Sequence, residues 1–148
     1  MQPCTILYAE DEANDIFFLE LAFQRASSPH TLNVVSDGEQ AISYLMGRDD
    51  FADRVRHPLP TLALLDINMP KKSGLEVLEW IRQQPRFKSL PVLMLTSSQR
   101  PEDMEQARKL GADDYLLKPS NPVDLFEIVK AFHDRWLSPE ATSRKLDD

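Results

Sequence analysis

A short apolar run that ends in an aspartate constrains the fold more than any other stretch of this sequence. Residues Leu62–Leu65 are uniformly apolar and lack helical spacing, which is typical of a strand buried on both faces of a parallel sheet. The run stops at Asp66. Open α/β sheets bind their ligands at the carboxyl ends of central strands, so Asp66 is a candidate functional residue.

Four further apolar runs predict strands on either side of this one. The segments between them have helical spacing and recognisable ends: Ser73 and Glu76 form a capping-box pattern, Pro101 suits the first turn of a helix, and Gly111 suits its end. Strands that alternate with helices indicate right-handed crossovers and a doubly wound parallel α/β sheet. The four runs are Thr5–Ala9, Leu32–Val35, Val92–Leu95 and Tyr115–Leu117.

Composition limits the classes of function. The chain has 148 residues, which suits one domain, and its only cysteine, Cys4, rules out an internal disulfide. A net charge of −7 argues against direct nucleic-acid binding, which requires clustered Lys and Arg. No apolar run approaches the roughly 20 residues that cross a bilayer, and no secretory signal is evident. We therefore expect a cytoplasmic protein whose partners are proteins or cations, with no nucleic acid and no membrane.

Polar side chains follow four of the predicted strands. Glu10 and Asp11 come after the first, Asp66 after the central one, Thr96 at the end of the fourth, and Lys118 after the fifth. Because the carboxyl ends of parallel strands meet at one edge, we expect these side chains to lie close together. Clustered carboxylates repel unless a cation neutralises them. Oxygen ligands with no nearby histidine or cysteine favour Mg²⁺ over zinc.

These groups together form the parts of a phosphoryl-transfer site. The Asp66 carboxylate would attack phosphorus, while the metal and Lys118 stabilise the equatorial oxygens and Thr96 donates a hydrogen bond to one of them. Each residue alone has an ordinary explanation, because an aspartate after a strand is most often a turn former and a lysine is most often solvated. Their joint occurrence at the strand ends favours the site.

Over about residues 4–137 the sequence resembles the receiver domain of two-component response regulators. The matching segments are Ile6–Asp11, Leu64–Pro70 followed by Gly74, Leu95–Ser98 and Gly111–Pro119. The resemblance implies a flavodoxin-like (βα)5 fold with strand order 2-1-3-4-5, which we assign to residues 1–137. Residues 138–148 form a polar tail that we expect to be disordered.

The resemblance also assigns roles in phosphorylation and metal binding. It implies that Asp66 is the phosphoacceptor, with a sensor histidine kinase or a phosphotransfer protein as donor. Mg²⁺ is expected to bind Asp11, Asp66 and the backbone carbonyl of Asn68, with Glu10 assisting directly or through water. Glu10 stands where many members of the family have aspartate.

Further roles concern the phosphoryl oxygens and the switch. Thr96 and Lys118 are expected to contact the phosphoryl group, and Ser97 is the small residue beside it. Thr96 and Tyr115 form the switch, in which the aromatic ring turns inward as Thr96 moves. The signal would pass to a surface made of the fourth helix, the fifth strand and the fifth helix, which is also a candidate homodimer interface. The Lys118–Pro119 peptide is expected to be cis.

The first predicted helix carries apolar residues on two sides. Ile16, Leu19 and Phe23 share one face, whereas Phe17, Phe18 and Leu21 fall on the other. Spacing alone leaves open whether the second face is buried or binds a partner. The resemblance favours a surface that docks the kinase. This predicted docking surface consists of Asn14, Phe18, Leu21 and Pro119.

Little sequence remains after the fifth helix, so the resemblance predicts a stand-alone receiver that is not an enzyme. Three features resemble regulators of phytochrome-type kinases: the long loop 47–60, the segment 70–72, and the segment 126–129 followed by residues 136–137. Two alternatives stay open. One is a pseudo-receiver that binds partners without being phosphorylated. The other is a phosphohydrolase with an aspartyl-phosphate intermediate, although such enzymes of the haloacid dehalogenase type usually carry a second aspartate where this chain has Asn68.

Overall fold

A computed structural model describes residues 3–138, and these residues form one parallel sheet between two layers of helices. The five strands have the order β2-β1-β3-β4-β5, so the predicted fold class and strand order are confirmed. The strands are β1 (Thr5–Ala9), β2 (Thr31–Val35), β3 (Leu62–Leu65), β4 (Val92–Thr96) and β5 (Asp114–Leu117), and the α-helices are α1 (Ala13–Arg25), α2 (Gly38–Met46), α3 (Gly74–Gln83), α4 (Pro101–Leu110) and α5 (Leu125–Phe132).

The central strand is buried on both faces, as its sequence predicts. All four residues of β3 are fully buried, because it lies between β1 and β4 and helices cover both sides of the sheet. On one side the strands pack against α2, α3 and α4, and on the other against α1 and α5. Side chains alternate between these layers along each strand: Leu7 faces the first and Tyr8 the second.

The predicted helix ends are largely observed. The Ser73 hydroxyl accepts from the backbone N–H of Glu76, whose carboxylate accepts from the backbone N–H of Ser73, which completes the capping box of α3. Pro101 begins α4, and Gly111 ends it in the left-handed conformation. Short 3-10 turns occupy Asp49–Phe51, Pro85–Phe87 and Pro122–Asp124.

The last helix is flanked by irregular turns. A 3-10 turn precedes α5, and beyond Phe132 the chain continues as a π-helical turn, His133–Leu137. The predicted polar tail, apart from Ser138, lies outside the described residues. No helix between residues 3 and 138 combines the length and apolar character that crossing a bilayer demands.

One backbone prediction is wrong. The Lys118–Pro119 peptide is trans, as are the other peptide bonds between residues 3 and 138. The trans form remains the intrinsically favoured isomer even before proline, by about 0.5–1 kcal/mol, and the chain adopts it here.

Candidate functional site

Backbone hydrogen bonds continue the strand pairing past the strand ends and bring three charged residues to one edge. The N–H of Asp66 donates to the carbonyl of Ala9 at 3.1 Å, and the N–H of Lys118 donates to the carbonyl of Thr96 at 2.9 Å. Glu10 directly follows β1, the strand that lies between β2 and β3. The predicted convergence of these side chains at the carboxyl edge of the sheet is therefore observed.

The Lys118 ammonium lies at the centre of this edge. Its Nζ is 2.9 Å from Asp66 Oδ2 and 2.8 Å from Asp15 Oδ2, and it also donates to Glu10 Oε1. The Lys118 side chain is only 11% exposed. An ammonium has three N–H donors, so these three carboxylates occupy all of them. One positive charge thus faces three acidic groups, which leaves the edge short of positive charge.

Burial and charge set different proton affinities for the two buried carboxyls. Burial, followed by the neighbouring Asp66, raises the pKa of Glu10 from 4.5 to about 7. Burial also acts to raise the pKa of Asp66, but hydrogen bonding from Glu10 and the charge of Lys118 outweigh it and hold that pKa below its usual range. Asp66 is therefore ionised at neutral pH and has the charge state of a nucleophile.

The same contacts affect the lysine and a buried tyrosine. Burial acts to lower the pKa of Lys118, yet hydrogen bonds to Asp15 and Glu10 raise it above its ordinary value. Burial, then the charge of Glu10, raises the pKa of Tyr8, whose hydroxyl donates to Glu10 Oε1 at 3.3 Å. Lys118 is consequently a permanent cation and Tyr8 a neutral donor to the carboxylate.

Helix α3 begins directly against the backbone of Asp66. A Cβ atom at Gly74 would lie 2.1 Å from the Asp66 carbonyl oxygen, so only glycine fits this position. The N–H of Gly74 donates to the carbonyl of Ile67 at 3.0 Å, and the N–H of Asn68 approaches Asp66 Oδ1 at 3.4 Å. The turn that presents Asp66 is thus fixed by α3.

Both predicted switch residues contact the loop between β4 and α4. Thr96 is fully buried, and its Oγ1 accepts from the backbone N–H of Ser98 at 3.3 Å. The Tyr115 hydroxyl donates to the Ser98 carbonyl at 2.9 Å, and the Ser98 hydroxyl donates to Asp103 Oδ2 at 2.6 Å. A movement of Thr96 would therefore change the contacts that Ser98 makes with the first turn of α4 and with Tyr115.

Three predicted site residues stand apart from the buried cluster. The side chains of Asp11, Asn68 and Ser97 are exposed. Nowhere between residues 3 and 138 do three acidic, histidine or cysteine side chains converge in an arrangement that would hold a metal ion as it stands. Lys118 explains this arrangement, because it draws Glu10 and Asp66 to itself. The metal set and the role of Ser97 stay predictions.

The predicted docking surface borders two cavities between α1 and the start of α5. Of α1, Leu19 and Phe23 are buried, Phe18 and Leu21 are half-buried, and Phe17 is 59% exposed. Asn14 is exposed and Pro119 half-buried. The first cavity is lined by Phe18, Leu21, Ala22, Arg25, Pro122, Val123 and Phe126, and the second, beside Lys118, by residues that include Asp15, Phe18 and Pro119.

Asp15 is the site residue that the sequence did not reveal. It lies in the first turn of α1 rather than at a strand end, and its position 103 residues from Lys118 gives no sign of the contact. Acidic residues are common in a first turn because they interact favourably with the helix dipole, so the pattern has an ordinary explanation. Only the position of α1 relative to the end of β5 could have identified it.

Comparison with known proteins gives consistent matches. Residues 6–130 match the family of the response regulator receiver domain. The chain is 35% identical to the response regulator Rcp1 of Synechocystis sp. over 135 residues, which are 91% of this chain and 90% of Rcp1. The structure of the Mn²⁺-bound form of Rcp1 has a TM-score of 0.83 at 34% identity, over 93% of this chain and 96% of that one.

Two further solved structures are similar over nearly the whole chain. The phosphorylated cyanobacterial phytochrome response regulator RcpA has a TM-score of 0.85 at 35% identity and covers 93% of this chain and 96% of its own. The response regulator RPA3017, in red light signaling of R. palustris, has a TM-score of 0.86 at 38% identity and covers 93% of this chain and 95% of its own.

Proposed function

This chain belongs to the response regulator receiver domain family, and on that premise we propose that it accepts a phosphoryl group on Asp66 from a sensor histidine kinase or a phosphotransfer protein. The observation that carries the proposal is the buried contact of Lys118 with Asp66 at 2.9 Å, which pairs an ionised carboxylate with a fixed cation. The phosphorylated state of the similar protein RcpA supports it.

The residues divide the chemistry between them. An Asp66 carboxylate oxygen forms a bond to phosphorus as the P–N bond of phosphohistidine breaks, and the electron pair of that bond stays on the imidazole nitrogen. Lys118 stabilises negative charge on the phosphoryl oxygens, and the Thr96 hydroxyl donates to one of them. Because Asp66 is already ionised, no general base is needed.

We propose Mg²⁺ as the cofactor. The carboxylates of Asp11 and Asp66 and the carbonyl of Asn68 would hold it, with Glu10 assisting. The donor set fits, since it consists of oxygens alone and its charge exceeds what Lys118 balances. When bound, the ion would neutralise charge on the phosphoryl oxygens. The Mn²⁺-bound form of Rcp1 supports a divalent cation in a similar protein.

The output is proposed to pass through the surface of α4, β5 and α5. Met104 on α4 and Leu117 on β5 are large apolar side chains with 43% and 39% exposure, which suits a protein contact or a homodimer. Tyr115 and Thr96 both contact the loop that leads into α4, so phosphorylation has a route to this surface. The similarity to RcpA and RPA3017 supports a phytochrome-type kinase as the donor.

A small phosphodonor tests the proposal without a kinase. Incubation with acetyl phosphate and Mg²⁺, followed by intact-mass measurement, should give one phosphoryl adduct, which Asp66→Asn should abolish. Asp50→Asn, which alters an exposed aspartate in the loop before β3, should phosphorylate as the wild type does. Rapid turnover with no lasting adduct would instead favour a phosphohydrolase, and no reaction at all would favour a pseudo-receiver.

The docking surface needs a separate test that includes a kinase. Phe18→Ala should slow phosphotransfer from an autophosphorylated phytochrome-type histidine kinase on the order of tenfold, because large aromatic side chains dominate interface energies. The same variant should react with acetyl phosphate at the wild-type rate, which shows that its fold is intact. Val55→Ala removes a side chain that is 90% exposed elsewhere and serves as the control. Equal transfer rates for the wild type and Phe18→Ala would place the dock elsewhere.

A further inference from the structure

We propose that Asp15 is a positioning residue for Asp66 phosphorylation, which anchors the Lys118 ammonium from helix α1. This inference rests on the proposed phosphorylation of Asp66. The contact of Asp15 Oδ2 with Lys118 Nζ, at 2.8 Å, is as short as the one between Lys118 and Asp66. It joins α1 to the end of β5 across 103 residues of sequence.

The environment of Lys118 makes an anchor necessary. Its ammonium sits at the end of a flexible four-carbon stem, which by itself specifies no single position. In this structure the three donors are divided among Glu10, Asp66 and Asp15, and the side chain is 11% exposed, so solvent supplies little of its hydrogen bonding. The position of Lys118 therefore depends on which of these carboxylates keep their contact.

Two of the three contacts cannot stay as they are through the proposed reaction. A divalent cation would draw on Glu10 and Asp66, the same carboxylates that Lys118 contacts. Phosphorylation then converts the Asp66 oxygen into a bridging oxygen of an acyl phosphate, and the acceptors for Lys118 become the phosphoryl oxygens. Asp15 belongs to neither set. Its contact is the one that persists while the other two exchange partners.

Position and exposure separate Asp15 from the two other carboxylates that contact Lys118. Its side chain is 37% exposed, whereas that of Glu10 is fully buried and that of Asp66 is 8% exposed. Asp15 is thus held at the border of the site, on the first turn of a helix rather than on the turns that carry the reacting groups. A carboxylate placed there orients Lys118 without competing for the phosphoryl group.

A spectroscopic test reads the anchor directly, in metal-free protein with no phosphodonor. An ammonium held by three carboxylates exchanges its protons slowly, so ¹H–¹⁵N spectra of lysine side chains should show a signal that Lys118→Met removes. Asp15→Asn should broaden that signal or accelerate its exchange on the order of tenfold. Glu20→Gln removes an exposed carboxylate five residues further along α1 and should leave the signal unchanged. A signal that persists unaltered in Asp15→Asn, or that the wild type lacks, overturns the proposal.

A kinetic test asks whether Asp15 acts through Lys118. At saturating acetyl phosphate and Mg²⁺, Asp15→Asn should phosphorylate on the order of tenfold more slowly than the wild type, which is the size of effect expected from a misplaced charged group. Lys118→Met should be slower still. Adding Asp15→Asn to Lys118→Met should change its rate no further, because the anchored group is gone.

The outcomes separate this inference from the proposed function. If wild-type protein forms no adduct on Asp66, the proposed function fails, and the NMR signal alone decides whether Asp15 holds Lys118. If the wild type is phosphorylated and Asp15→Asn reacts as fast, the positioning role fails while the proposed function stands. Equal slowing by Asp15→Asn in the wild-type and the Lys118→Met backgrounds would also overturn the positioning role, because the effect of Asp15 would then not depend on Lys118.

Discussion

The two ends of the sheet bury titratable side chains of opposite kinds. At the carboxyl end the groups are charged, and Lys118 contacts Glu10 and Asp66. At the amino end they are neutral imidazoles: His30 Nδ1 accepts from the backbone N–H of Cys4 at 3.0 Å, and His133 Nε2 lies 2.7 Å from the hydroxyl of Ser28. Burying a charged group costs more than burying a neutral one, and this charged cluster lies where the phosphorylation is proposed.

The two ends consequently respond to pH with opposite signs. Glu10 has its pKa raised, chiefly by burial, from 4.5 to about 7, so the folded state holds its proton more tightly and stability falls as pH rises through that window. His133 has its pKa lowered, chiefly by burial, from 6.5 to about 4, so stability is lost as pH falls through that window. The two windows overlap, and their effects cancel in part.

The largest effect is expected from removing the cation at the carboxyl end. Lys118→Met keeps the aliphatic stem but leaves the buried carboxylates without a counter-charge, so the free energy of unfolding at pH 8 should fall by about 3 kcal/mol. The loss should shrink toward pH 5, where the carboxyls take up protons. Urea denaturation in a chelating buffer measures both values. Lys109→Met, which alters an exposed lysine of α4, should change stability little, and an equal loss in it would contradict the charge argument.

A smaller effect is expected from making Glu10 unable to ionise. In Glu10→Gln the free energy of unfolding should no longer decline between pH 4.5 and pH 7. The variant should therefore gain about 2 kcal/mol of stability relative to the wild type across that range. Denaturation at several pH values, again without metal, gives the difference. The exposed Glu39→Gln is the matched control and should follow the wild-type curve. A constant offset between Glu10→Gln and the wild type at all pH values would show that Glu10 does not titrate in this window.

The contrast between the ends also explains what the sequence could predict. The parallel sheet, the helix ends and the convergence of Glu10, Asp66 and Lys118 follow from the alternation of strands with helices and from the rule that parallel strands share one carboxyl edge. These features depend on the path of the backbone, which apolar patterning specifies well. The sequence resemblance added the order of the strands and the roles of individual residues.

Contacts that depend on how the helices pack against the sheet and against each other could not be predicted from apolar patterning. Asp15 reaches Lys118 only because α1 packs against α5 at that end, and nothing in its local pattern distinguishes it from an ordinary first-turn acid. His30 and His133 are likewise far apart in sequence, with ring centroids 5.2 Å apart in the structure. The trans Lys118–Pro119 bond was missed for a different reason, since the resemblance alone led to the cis prediction.

The smallest effect is expected at the amino end, where His133→Gln removes a titratable ring and keeps an amide able to bond to Ser28. Because His133 is partly accessible to solvent, its contribution to the free energy of unfolding should be only about 1–2 kcal/mol. The wild type should lose this stability as the pH falls from 6.5 to 4, whereas the variant should retain it. With the histidine effect removed, the decline due to Glu10 should stand out as a steady fall with rising pH. The double variant Glu10→Gln/His133→Gln should then keep only a shallow slope, which comes from His30 because burial lowers the pKa of that ring as well. If instead the double variant kept the slope of either single variant, groups other than these two would have to supply the pH dependence, and the two ends would not be balanced against each other.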